Sequence, residues 1–234
     1  MRLNRSIFAS LLAIPLSFFA TSARATPVNG QANIAGNVSV SATSINFSPT
    51  FVTTPGAMET GDFTGLTGGT IMSLTGGPVT GNTNVMNFVR FTNGVATPIT
   101  FDLTYIAPGV GTQTGCSSSA LGAECTPAGS PFTLFQLSSN TVIASLQLNG
   151  NSYTGSSATG TSYTTSIFST QTALNGTIPQ IVTQLNSGQT LTGITYSASF
   201  NATAPTVPEP ASMLLMGVGL MGAGIVARRK AVEK

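Results

Sequence analysis

Apolar and polar residues alternate one by one in several segments of the chain. The clearest segments are 99–105, 142–148 and 194–200. Successive side chains of a strand point to opposite faces of a sheet, so this alternation is typical of a strand with one buried face. Weaker runs of the same kind lie at 34–40, 45–47, 71–74, 85–91, 132–137 and 163–168. Clusters of glycine, asparagine, proline and serine separate these runs. The spacing predicts an all-β fold, an antiparallel β-sandwich of the jelly-roll or immunoglobulin-like kind.

One segment has a helical pattern instead. Pro179 lies near its start and Gly188 lies just past its end. Ile181, Val182 and Leu185 share one face at helical spacing. This pattern predicts a short helix over residues 178–186, which we expect to plug one end of the sandwich.

Charged residues are scarce and unevenly placed. The chain of 234 residues has 8 Lys+Arg, 6 Asp+Glu and no His. Between residues 26 and 207 the only basic residue is Arg90. A protein that binds nucleic acid needs clustered lysine and arginine to neutralise phosphates, so we exclude that class of partner. The lack of histidine removes the commonest general base and the commonest metal ligand.

The first residues have the pattern of a secretory signal. Arg2 and Arg5 precede an apolar run over residues 7–20. Ala23 and Ala25 then provide the small residues that signal peptidase recognises, which predicts a signal peptide over residues 1–25. The alternative is an N-terminal membrane anchor, but the apolar run is short for ~30 Å of hydrocarbon.

The last residues predict a membrane span. Residues 211–227 carry no charge, and the basic residues Arg228, Arg229 and Lys230 follow at once. A transmembrane helix over 211–227 would keep the tail, residues 228–234, in the cytoplasm and leave residues 26–207 outside. The alternative is a buried helix of a soluble domain.

A short motif stands immediately before this segment. Val207 is followed by Pro208, Glu209 and Pro210. The order of this motif, a glycine-rich apolar stretch and a basic tail resembles the PEP-CTERM sorting signal of Gram-negative bacteria that produce exopolysaccharide. The same module is also catalogued as the C-terminal domain of ice-binding proteins. The resemblance implies that exosortase, a membrane-embedded cysteine transpeptidase, processes the chain near the motif.

The same resemblance implies a route through the cell. The chain would pass through the inner membrane as a single-pass intermediate, and its product would reach the cell surface or the extracellular matrix. Prolines fix φ and push the preceding residue out of the helical region, so residues 204–210 are expected to form an extended stalk. The exported domain would then cover residues 26–203.

The two cysteines lie close together in the sequence. Cys116 and Cys125 enclose a polar loop. In an exported protein such a pair is most simply a disulfide. A metal pair is the first alternative, but the chain has no histidine and no further cysteine to complete a site. A redox pair is the second, although that chemistry usually has C-x-x-C spacing.

The exported part has few residues that could carry out catalysis. Its serines have no histidine or lysine to activate them. Glu59 and Asp62 could contribute to a calcium site, but the EF-hand pattern is absent. Asp102 lies on the polar side of its strand, where we expect solvation or a partnership with Arg90. The sequence therefore predicts no enzyme activity, no metal site and no cofactor.

The remaining interpretation is a structural or interaction protein of exopolysaccharide or biofilm. Serine, threonine and asparagine supply uncharged groups that can form hydrogen bonds with glycan. The alternative is a ligand-binding module for glycan or ice on the cell surface. A hydrolase that uses two carboxylates is a remote alternative. A flat array of threonines would favour ice, and a pocket with two facing acids would favour the hydrolase.

Overall fold

The computed structural model describes residues 26–53, 59–75, 80–155, 161–171, 174–205 and 217–221. The chain divides into two compact units. The first is Met1–Ala204 and the second is Pro205–Lys234. The first unit contains all the strands described below.

Among its described residues, the first unit contains fourteen strands and one α-helix. The short strands at its start and in its loops are β1 (Thr26–Pro27), β3 (Ser44–Phe47), β4 (Thr50–Thr53), β5 (Gly68–Ile71), β6 (Leu74–Thr75), β9 (Glu124–Cys125) and β13 (Leu174–Asn175). The longer strands are β2 (Gly30–Ser41), β7 (Gly81–Asn93), β8 (Ile99–Ile106), β10 (Thr133–Ser138), β11 (Thr141–Thr154), β12 (Ser162–Thr170) and β14 (Leu191–Thr203). The helix α1 spans Ile178–Asn186.

Eight of the strands form a closed ring. The order around the ring is β11, β12, β14, β2, β4, β5, β7 and β8, and β8 pairs again with β11. Every neighbouring pair in the ring is antiparallel. The fold is therefore a closed eight-stranded antiparallel barrel with additional strands, and the predicted β-sandwich is wrong.

The barrel closes through the long strand β11. On one side β11 pairs with β12 over most of its length. On the other side its first half pairs with β10, and its last residues pair with β8, where Tyr153 lies opposite Thr100. One strand thus joins the two ends of the ring. Alternation in a sequence shows which face of a strand is buried, but it does not show the partner of that strand, so a sandwich and a barrel give the same pattern.

Gly150 allows β8 and β11 to approach each other. A Cβ atom at this position would collide with the backbone carbonyl oxygen of Asp102 and would lie 2.7 Å from the Phe101 ring. Glycine is required here because no larger residue fits between the two strands.

Aromatic side chains fill the barrel. Phe200 packs edge-to-face against Phe91 and Phe101, with ring centroids 5.3 Å apart in both pairs. Phe168 joins this group to Phe47 and to Tyr196. An interior formed by eight strands is just wide enough for packed side chains. Edge-to-face contacts add stability beyond the burial of apolar area.

The helix lies where the sequence predicted it, over Ile178–Asn186. The backbone N–H of Thr177 donates to Oε1 of Gln180 at 2.9 Å and satisfies one donor at the start of the helix. Ile178, Ile181 and Leu185 are buried and form its apolar face. The helix covers an apolar space at one end of the barrel, whereas we expected it to plug a sandwich.

The predicted transmembrane helix over 211–227 is not supported. Of that segment the structure describes residues 217–221, which are helical. Within the described ranges, no helix has the length and the apolar character needed to cross a membrane. Gly217 and Gly219 lie in this short helix, and each glycine lowers helix propensity by about 1 kcal/mol. The other residues of the segment lie outside the described part.

The predicted disulfide between Cys116 and Cys125 is present. It connects the 3₁₀ turn Thr114–Ser117 with β9. Cys125 is completely buried, and Gly111 packs directly against its backbone.

Replacing both cysteines with serine should lower the free energy of unfolding by about 2–3 kcal/mol, because a loop of about ten residues is no longer closed in the unfolded chain. Urea unfolding with and without a reducing agent measures the loss. The reductant should destabilise the wild-type protein by a similar amount and leave the double variant unchanged. Equal stability of the two proteins under oxidising conditions would contradict this expectation.

Candidate functional site

The residues of the predicted sorting motif, Val207, Pro208, Glu209 and Pro210, lie outside the described residues. The same holds for Ala23 and Ala25 of the predicted signal peptide and for the basic residues Arg228, Arg229 and Lys230. Their roles stay predictions from the sequence. The candidate site within the described structure lies on the barrel.

Four neighbouring strands of the barrel, β11, β12, β14 and β2, present outward side chains that carry no charge. We call this surface the polar face. Its side chains alternate with buried ones along each strand, so they point away from the barrel interior. Its members are Ser145, Gln147, Asn149 and Asn151 on β11, Tyr163, Thr165, Ile167 and Ser169 on β12, Thr195, Ser197, Ser199, Asn201 and Thr203 on β14, and Gln31, Asn33, Ala35 and Asn37 on β2.

The strand registers align these side chains in rows across the polar face. One row runs from Asn149 through Thr165 and Asn201 to Gln31. The adjacent row contains Ile167, which lies opposite Ser199. Each row therefore brings hydroxyl and amide groups from several strands within reach of one extended ligand.

Some polar groups of this face hold each other in place. Nε2 of Gln31 donates to Oγ of Ser199 at 3.3 Å, and Nε2 of Gln171, the residue after β12, donates to Oγ of Ser197 at 2.7 Å. Two large apolar or aromatic side chains stand among them. Tyr163 is 56% exposed and Ile167 is 57% exposed. An exposed aromatic ring surrounded by hydroxyl and amide groups can stack on a sugar ring while its neighbours form hydrogen bonds.

Sequence reasoning did not identify the polar face. The available signal was the set of polar residues at alternate positions of β12 and β14. This alternation did not predict a common surface, because only the pairing of β11, β12, β14 and β2 places these positions side by side.

Asp102 is buried, which corrects the expectation that it is solvated, and the hydrogen bonds of its carboxylate go to groups other than Arg90. Its Oδ1 accepts a hydrogen bond from the backbone N–H of Asn87 at 2.6 Å, and its Oδ2 accepts one from the Tyr153 hydroxyl at 3.1 Å. Only 4% of its surface is exposed. Burial raises the pKa of Tyr153, and the nearby Asp102 charge raises it further. This carboxylate joins its own strand, β8, to β7 and to β11.

The loop acid Asp62 also binds the protein backbone. Its Oδ2 accepts a hydrogen bond from the N–H of Asn29 at 2.8 Å. The part of the chain that the structure describes contains no group of three or more His, Cys, Asp or Glu residues that could hold a metal ion. Asp62 therefore fixes its loop against the start of β2.

The comparison with protein families gives the class of the protein. The family of the PEP-CTERM protein-sorting motif matches residues 206–230. This segment includes Pro208, Glu209 and Pro210 and the basic residues that follow the apolar stretch. Residues 206–230 therefore carry the PEP-CTERM sorting motif, which supports a PEP-CTERM protein, and processing by exosortase follows from the family. PEP-CTERM sorting implies export and a membrane-anchored intermediate before cleavage.

The match is confined to the C-terminal segment and leaves the barrel outside it. No curated protein and no solved structure matches the chain. The function of the barrel has to be argued from its own side chains.

Proposed function

We propose that the barrel is a non-enzymatic domain that reaches the cell surface or matrix and binds neutral polysaccharide through the polar face. The observation that carries this proposal is the alignment of uncharged hydroxyl and amide groups around the exposed ring of Tyr163. Exopolysaccharide is the partner that PEP-CTERM sorting brings into reach of the domain.

The chemistry of the polar face suits a neutral glycan. Sugar hydroxyls both donate and accept hydrogen bonds, and so do serine, threonine, asparagine and glutamine side chains. No charged residue belongs to the face, so binding should depend little on salt. Weak dependence on salt would distinguish a neutral glycan from an anionic polymer as the partner.

Two observations support a role without catalysis. The carboxylates of Asp102 and Asp62 both accept hydrogen bonds from backbone N–H groups. Each of these acids therefore has a structural task. The polar face also differs from a flat threonine array, because amides, serines, Tyr163 and Ile167 stand between its threonines. This mixture favours glycan over ice.

The test uses the exopolysaccharide purified from the strain that makes the protein. Tyr163→Ala should weaken binding about tenfold, because it removes the aromatic anchor of the face. Co-sedimentation of the full chain with the polysaccharide measures the effect at low and at high salt. Binding should be similar at both salt concentrations.

The matched control is Tyr105→Ala. Tyr105 is a partly exposed tyrosine on β8, away from the polar face, and its replacement should leave binding unchanged. Equal binding by wild type and Tyr163→Ala, or a strong loss of binding at high salt, would contradict the proposal.

A further inference from the structure

A recess of about 270 Å³ lies between helix α1 and the start of β14. Apolar side chains line one part of it, namely Leu174, Ile181, Leu191 and Ile194. Amide and hydroxyl side chains line the rest, namely Asn175, Gln184, Thr190 and Thr192. No charged side chain is among the described residues that line it. Pockets for drug-sized ligands measure about 300–1,000 Å³, so this recess suits a smaller, uncharged ligand.

The polar side chains of the recess are available to a ligand. None of the four forms a side-chain hydrogen bond with another described residue. Other polar side chains of the same helix behave differently. Oε1 of Gln180 accepts from the backbone N–H of Thr177, and Oγ1 of Thr183 donates to the carbonyl oxygen of Pro179. The recess therefore collects donors and acceptors that the fold itself does not use.

A bulge in β14 forms one side of the recess. The register between β14 and β2 shifts between Leu191 and Ile194, so Thr192 and Gly193 together lie opposite Ser39 alone. Gly193 has a φ of 72°, a conformation that favours glycine. Bulges redirect side chains and are common beside functional sites. This bulge takes Thr192 out of the regular ladder and places it at the recess.

A more open depression adjoins the recess. The two spaces share Asn175 and Gln184 as lining residues. The depression adds Asn140, Gly176, Pro179, Gln180 and Thr183. No charged side chain is among these residues either. A ligand longer than the recess can therefore continue over the helix along amide and hydroxyl groups.

We infer that the recess binds the terminal ring of a neutral glycan and that the depression receives the ring that follows. A pyranose ring presents C–H groups on its faces and hydroxyls around its rim. The C–H groups can contact Leu191, while the hydroxyls form hydrogen bonds with amides and hydroxyls that both donate and accept. Neither space shares a residue with the polar face, so the inference is independent of the proposed function.

The probes are the methyl glycosides of glucose, galactose and mannose, and ligand-observed NMR of the full chain measures their saturation. We expect at least one of them to bind with a Kd of about 1–10 mM, as ligand efficiencies of small neutral compounds allow. The disaccharide that ends in the same sugar should bind at least threefold more tightly, because its second ring reaches the depression. The uronate of that sugar should bind more weakly, because its carboxylate would lose hydration at an uncharged site.

Two double variants locate the binding site. Gln184→Ala with Thr192→Val removes two hydrogen-bonding groups from the recess and should weaken binding about tenfold or more. Gln147→Ala with Thr203→Val is the matched control, because it removes the same groups from exposed positions outside the recess and should leave affinity unchanged. All these positions lie outside the buried core, so both proteins should keep the melting temperature of the wild type.

Tyr163→Ala separates this site from the polar face. Tyr163 lies opposite Thr203, at the far end of β14 from Thr192, so its replacement should leave binding of the glycosides unchanged.

Four results would overturn the inference. The first is the absence of saturable binding by every glycoside at 10 mM or below, roughly the weakest affinity expected. The second is equal affinity of the two double variants. The third is a disaccharide that binds more weakly than the single sugar. The fourth is a loss of glycoside binding in Tyr163→Ala, which would assign the sugar to the polar face.

Discussion

Replacing Asp102 with alanine should lower the free energy of unfolding by about 3–4 kcal/mol, because a buried hydroxyl and a partly buried backbone N–H lose their acceptor at once. The backbone N–H of Asn87 and the hydroxyl of Tyr153 both donate to this carboxylate. Asn87 has a φ of 56°, which is rare for a residue other than glycine, and it lies where the register between β7 and β8 shifts. The carboxylate thus holds an irregular segment of β7 in place. Equilibrium unfolding in urea measures the change.

The control for this prediction is Asp62→Ala. Asp62 also accepts a backbone hydrogen bond, but it is exposed, and water can replace the lost acceptor. Its loss should therefore be about 1 kcal/mol or less. If the two aspartate variants lose equal stability, burial of Asp102 has no energetic importance and the prediction is wrong.

A pH profile gives a second check on the same pair. The pKa of Tyr153 is raised above 10.0 in the folded protein, so its contribution to stability is fully present below pH 10.0 and is lost as the pH rises through the folded value. Tyr153→Phe should consequently show a smaller loss of stability above that pH than the wild-type protein does. The variant should also be less stable at neutral pH, since Asp102 loses one donor.

Replacing Gln136 with alanine should have an effect of similar size, a loss of about 3–4 kcal/mol. The side chain is completely buried. Its Oε1 accepts a hydrogen bond from the N–H of Ile178 at 2.8 Å, and its Nε2 donates to the carbonyl oxygen of Ser138 at 2.6 Å. One amide group therefore joins the first residue of α1 to the turn after β10. Hydrogen exchange should show that the amides of α1 lose protection in this variant.

Gln147→Ala is the matched control. Gln147 is an exposed glutamine on the neighbouring strand β11, and its removal should change stability by less than about 0.5 kcal/mol. Unchanged protection of the α1 amides in Gln136→Ala would show that other contacts hold the helix. That result would contradict the role assigned to Gln136.

Local features of the fold could be predicted from the sequence. The strand Ile99–Ile106 and the helix Ile178–Asn186 follow from patterns within the segments themselves. Alternation at period two and an apolar face at helical spacing are properties of a few consecutive residues, so tertiary structure is not needed to recognise them. The disulfide is a similar case, because Cys116 and Cys125 are neighbours in the sequence.

The roles of single polar residues could not be predicted. Asp102 occupies a position that alternation assigns to solvent, yet Tyr153 and the irregular segment of β7 cover it. Gln136 is of a residue type that usually lies on the surface. It is buried because α1 begins at Ile178, whose N–H donates to its side chain. Burial on the outer side of a strand depends on distant segments, which the local pattern does not contain.

The sequence by itself determined the longer strands, the helix and the sorting segment, since each depends on residues that are consecutive in the chain, whereas the short ring strand β4 was not predicted. Tertiary structure alone decided that the sheet closes into a barrel, because closure depends on the pairing of β8 with the end of β11. The pairings of β11 with β12, of β12 with β14 and of β14 with β2 form the polar face, and α1 covers an apolar space at one end of the barrel. Contacts between residues that are far apart in the chain create these features, and a single sequence does not specify which of many compatible pairings forms.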